Sequence, residues 1–164
     1  EAAELTGCAM PETTGVRAAC LDLGLSSLPK GAAKFALGMD SPFYFSVHSA
    51  TASGLAPSGG AMIHVAKYLD RNATGSRDEL EAFADIAMPG WKKFVKASRF
   101  MPNLTVTHAI PRPGGRPKTD SLGIPGVLLA GDWVGREAML ADAAVASGLC
   151  AVKQALALRA AAAS

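Results

Sequence analysis

Gly131 and Asp132 have types and a spacing suited to holding a ligand. They close a continuous apolar run, Val127-Leu128-Leu129-Ala130. Apolarity without alternation is what a strand buried on both faces of a parallel sheet requires. Ligands of open α/β sheets sit beyond the carboxyl ends of such strands. A glycine there lets a ligand reach the backbone, and an aspartate offers a carboxylate acceptor to a ribose-type hydroxyl. After a loop, Trp133–Glu137, the pattern predicts a helix from about 138–140. Its unpaired first N–H groups and the positive end of its dipole favour anionic or carbonyl oxygen. Along that helix Ala143, Ala144, Ser147, Gly148 and Ala151 form a stripe of small residues, and Val145, Leu149, Val152 and Leu156 a larger apolar face.

Other chemistry-bearing residues carry less. His48, His64 and His108 are dispersed, and a structural role fits each of them. No Ser-His-Asp arrangement follows from spacing. The three cysteines, Cys8, Cys20 and Cys150, form no CxxC pair and lie near no histidine at ligand spacing, so no metal site is expected. Widely separated thiols in odd number fit a reducing compartment, each acting as a small apolar residue. Lys92, Lys93 and Lys96 read as a solvated face, and Arg112, Arg116 and Lys118 as loop charges. Asp142 suits the first turn of a helix. Trp133 suits packing on the core and stacking against a ligand equally well.

The elements that must position these groups can be read from the pattern. Val16–Leu28 reads as a strand closed by the turn chemistry of Leu28-Pro29-Lys30-Gly31. The aromatic stretch from Lys34 to Ala50, with a turn at Asp40-Ser41-Pro42, reads as a hairpin. Ala61–Leu69 alternates as a strand does. Ser76 and Glu79 make a capping box for a helix to about Ala87, with Leu80, Phe83, Ala84 and Ala87 on its apolar face. Pro89-Gly90 breaks it, Trp91–Ala97 suggests a second short helix, and Arg99–Ile110 a further strand. A Pro- and Gly-rich loop follows over 111–126. The order predicts an α+β fold: an antiparallel sheet with helices over 16–112, a lead-in over 1–15, and the last strand and helix of a Rossmann-like domain over 113–164.

Composition excludes several classes. The net charge is +2 from 16 basic and 14 acidic side chains, too small a surplus to argue for nucleic acid. Hydrophobic residues at 49% suit a globular chain with a core. The apolar stretch Ala143–Val152 reads as too short to span a bilayer, and the acidic start Glu1-Ala2-Ala3-Glu4 is not a secretory signal. The sequons at Asn72 and Asn103 carry little weight without one. A cytoplasmic protein is expected. The opening residues read as the middle of a helix, so a piece of a longer polypeptide is expected too.

Leu129-Ala130-Gly131-Asp132-Trp133 followed by Ala141-Asp142-Ala143-Ala144-Val145-Ala146-Ser147-Gly148 resembles the carboxyl-terminal flavin motif of the amine oxidase and phytoene desaturase superfamily. There an AGD or AGE strand end precedes a helix of the form GxMEGAxxSG. This chain has Ala141, Asp142 and Ala143 where that family often has Met, Glu and Gly. Ala56-Pro57-Ser58-Gly59-Gly60 and Pro89-Gly90-Trp91 are similar to its substrate-domain half. The resemblance implies an FAD-dependent oxidoreductase that passes hydride from an apolar or amine substrate to flavin, the sheet flooring the substrate pocket and the substrate bringing peripheral membrane contact. It implies that Gly131 and Asp132 lie against the ribityl–pyrophosphate part of FAD, and that Met139, Leu140 and Ala141 turn backbone groups to the pyrimidine edge of the isoalloxazine. The GxGxxG turn of that family is absent, because no two glycines here stand two positions apart. The amino-terminal FAD-binding portion is therefore expected in the same or another chain. A non-catalytic domain or complementing subunit without tight FAD binding of its own is the alternative.

Overall fold

The computed structural model describes residues 2–110 and 113–162; Glu1, Pro111 and Arg112, and with them the expected boundary at 112, lie outside the described residues. The fold is α+β, and the chain divides into two compact units, one of residues 17–105 and one joining 1–16 to 106–164.

The first unit is built on a five-stranded sheet in the order β2-β3-β4-β1-β5. Its strands are β1 (Val16–Leu25), β2 (Phe35–Leu37), β3 (Phe43–Val47), β4 (Ala61–Leu69) and β5 (Val95–Thr107), whose last two residues belong to the second unit. β1 pairs antiparallel with β4, β4 with β3 and β3 with β2. The alternation in the sequence sets the faces. Leu21, Leu23, Phe45, Ile63 and Val65 are fully buried on one face, against Leu80, Ala84 and Ala87 of helix α2 (Arg77–Ala87). Burying each such side chain stabilises by about 1.5–3 kcal/mol. Ser76 caps α2: its hydroxyl accepts from the Asp78 N–H, and Glu79 accepts from the Ser76 N–H, the expected capping box. α2 ends at Ala87, and Gly90, in a left-handed conformation (φ 76°) after Pro89, leads into the next turn. The second short helix is only one 3-10 turn, Trp91–Phe94, because the chain enters β5 at Val95 instead of continuing to Ala97. Trp91 is buried there, its indole N–H donating to Asp85.

The second unit holds α1 (Ala2–Thr6), the loops of 113–139 and α3 (Leu140–Ala162). Here one expectation fails. Val127–Ala130 is not a strand and is not fully buried. A strand needs a neighbour to hydrogen-bond, and among the described residues the only strand residues in this unit are Val16 and the last two of β5. The run is instead tied by single bonds, such as the Leu129 N–H to the Thr119 carbonyl at 2.7 Å.

Candidate functional site

Helix α3 begins where the sequence places it, and its small residues face inward. Ala143 and Ser147 are buried, Ala144, Gly148 and Ala151 half-buried, while Val145, Leu149, Val152 and Leu156 stand exposed. The Gly131 N–H donates to the Ser147 hydroxyl at 2.9 Å, which fastens the tip of the apolar run to the helix. Only a small side chain at 147 permits this approach.

Gly131 has φ 149°, and a Cβ added there would meet the Trp133 indole nitrogen at 2.7 Å. Conformation and space both demand glycine. The Trp133 indole thus lies against Gly131, half-buried.

Asp132 is the most heavily engaged side chain of the region. One carboxylate oxygen accepts from the Thr107 hydroxyl and the His108 backbone N–H, both at 2.9 Å; the other meets His108 Nδ1 at 3.0 Å. Burial pushes its carboxyl up, but these three donors and the charge of His108 outweigh it and hold the group below the usual carboxylate range. Asp132 is therefore ionised at neutral pH. A carboxylate has about four acceptor sites, so three protein donors leave room for one ligand hydroxyl.

Arg116, which reads from the sequence as a solvated charge, is the residue that shapes this loop. Its guanidinium donates to the carbonyls of Gly135, Asp132, Glu137 and Ala138 at 2.8–2.9 Å. It thereby sets the path into α3, where Ala138 and Leu140 both have φ 54°. A left-handed conformation costs a non-glycine residue roughly 1–2 kcal/mol, and the four bonds to Arg116 and the packing of α3 hold it. Nothing in the spacing of a Pro-rich loop announces such a clamp.

Gly131, Asp132, Leu140 and Ala141, four of the five expected site residues, line one open cleft of about 410 Å³ with Val106, His108, Trp133 and Ala144. Met139 is just outside it, exposed, its carbonyl accepting from the Ala143 N–H. A larger groove of about 720 Å³ on the same unit, between residues 118–120, 134–137 and α3, contains none of the five. Among the described residues no cluster of His, Cys, Asp or Glu could hold a metal ion. Helix α3, at 23 residues, is long and apolar enough to cross a membrane by length and composition, which the shorter stretch Ala143–Val152 does not suggest.

No family model, curated protein or solved structure matches the chain.

Proposed function

We propose that the second unit forms one wall of a flavin site in an FAD-dependent oxidoreductase of the phytoene desaturase or amine oxidase type. One observation carries the reading: Gly131, Asp132, Leu140 and Ala141 surround a single cleft at the start of α3, with an ionised carboxylate at its edge. The residues fit the cofactor. The remaining acceptor site of Asp132 suits a ribityl hydroxyl, and the positive end of the α3 dipole suits the carbonyl edge of an isoalloxazine. Backbone groups of Met139, Leu140 and Ala141 would face that edge, Met139 with its N–H, since its carbonyl serves the helix. FAD, when bound, supplies the hydride acceptor. The protein's part is to bind and orient: Arg116 fixes the loop, Ser147 holds Gly131, and Thr107 and His108 aim Asp132. The strained backbone at Ala138 and Leu140 adds support, because such strain gathers at ligand sites. Without GxGxxG in this sequence, the phosphate cradle belongs to another stretch of the polypeptide or to a partner.

A second reading, a complementing subunit that binds no flavin alone, has its own observation. Val145, Leu149, Val152 and Leu156 are 57–64% exposed along one flank of α3, a surface that suits cover by further protein. A strand followed by GxGxxG encoded ahead of residue 1 in the same polypeptide favours the first reading. The direct test is Asp132→Ala in the natural full-length protein, which is expected to retain less flavin after gel filtration than wild type. Equal flavin content in the two would sink the role given to Asp132.

A further inference from the structure

The face of the sheet turned away from α2 carries a polar row that the flavin reading does not use. The registers of three strand pairs align Phe35, Ser46, His64 and Asp22 across β2, β3, β4 and β1. Aspartate is disfavoured inside strands, and β4 and β1 are both interior strands of this sheet. Here Asp22 Oδ1 lies 2.5 Å from His64 Nδ1, the two side chains being 23% and 25% exposed. A carboxylate on Nδ1 favours the ring proton there, so in the neutral ring the lone pair is on Nε2. Nε2 has no hydrogen-bond partner among the described residues. The His48 ring stacks on His64 at 5.2 Å and 24°, and Tyr44 meets it edge-on at 6.2 Å, so ring orientation is held from two sides. Burial, and next the neighbouring His64, lower the basicity of His48 against the pull of Asp22, which keeps His48 neutral. Cys20, also on this face, stays a thiol: burial and then Asp22 push it up to about 11. Beside the row lies an apolar shelf, with Leu37 opposite Tyr44 in register and the Phe35 ring edge-on to Tyr44 at 5.6 Å. Phe35 and Leu37 are both more than half exposed.

We propose that Asp22 and His64 form a proton-accepting site on this face, with Nε2 of His64 as the base, for a small molecule whose acidic hydroxyl adjoins an apolar ring or chain. The hydroxyl lies at Nε2 and the apolar body on Phe35, Leu37 and Tyr44. The O–H bond breaks with its electron pair left on oxygen, the N–H bond forms at Nε2, and the Asp22 carboxylate balances the imidazolium. His64 is the group that touches the ligand; Asp22 and His48 are positioning residues. The site belongs to the sheet unit, and its test needs no flavin.

Para-nitrophenol is a suitable probe, because its phenolate is yellow and its phenol is not. Added to the whole protein at a pH below the probe's own pKa, it is expected to give a saturable phenolate band. The band should be lost in His64→Gln and reduced in Asp22→Asn, where imidazole nitrogen NMR should also show the fixed tautomer released. If His64→Gln fails to fold, the wild-type resonances decide: Nε2 of His64 must move to its protonated position as the probe binds. No saturable band in wild type, an equal band in folded His64→Gln, or an Nε2 resonance that stays put overturns the proposal.

Discussion

The two units hold themselves together by different means. In the sheet unit the stabilisation is apolar: Leu21, Leu23, Phe45, Ile63, Val65, Leu80 and Met88 are all fully buried in one cluster. Among the described residues of the second unit the buried apolar side chains are few, Ala109, Val134 and Ala143, and Thr107, Thr119 and Ser147 are buried polar ones. Its loops are ordered by charged and polar clamps, four bonds from Arg116 and three into Asp132, while the large apolar residues of α3 face outward. The first unit is built around one continuous apolar layer between its sheet and α2. The second has its backbone set by polar bonds and an apolar flank of α3 uncovered.

That contrast can be broken by substitution. Leu21→Ala leaves a cavity in the aliphatic layer and is expected to destabilise the sheet unit by about 2–5 kcal/mol; denaturant unfolding read from the Trp91 fluorescence measures it. Arg116→Ala removes charge-assisted bonds worth roughly 3 kcal/mol even if only two count fully. Its effect should be local: faster amide exchange over 131–138, with exchange in β1 and β4 unchanged. An equal rise in both units would mean that Arg116 holds the whole chain and not its loop.

Acid should also loosen the Asp132 loop. The Asp132 carboxyl is depressed in the folded state, so its contribution is present above the unfolded value of about 3.9 and is lost as pH falls through the folded one. The His108 N–H is expected to lose protection on acidification into that window, and Asp132→Asn to remove the dependence. Smaller again, Ser76→Ala should cost about 1 kcal/mol through loss of the cap on α2, read as a lower melting temperature. Leu149→Gln, on the exposed flank of α3, should change stability by less than about 0.5 kcal/mol. It should, however, reduce any self-association seen by sedimentation.

The same difference decides what the sequence can reveal. Alternation marks β4 and the end of β1, Ser76 and Glu79 mark the start of α2, and the aromatic hairpin falls at β2 and β3, because burial on one face writes a period into the chain. The second unit has no such period. Val127–Ala130 has the composition of a buried strand, yet a strand is a relation to a neighbour, and the neighbour is not among these residues. Gly131 and Asp132 stand out by type and spacing, and the structure sets both at the edge of one cleft. Arg116 does not, since its role lies in which carbonyls a folded loop turns toward it. From its type and place alone Asp132 reads as a ligand acceptor free of the fold, whereas in the structure it ties its own loop together. Its bonds to Thr107 and His108 mean that Asp132→Ala will also loosen its own loop.

The central claim is that the cleft at the start of α3 receives a flavin. The most direct measurement is the visible spectrum of the natural full-length protein, recorded as purified and after addition of FAD and gel filtration. The expected result is a retained flavin spectrum, weakened by Asp132→Ala at a protein concentration where wild type stays saturated. A folded protein that remains colourless and never takes up FAD would contradict it.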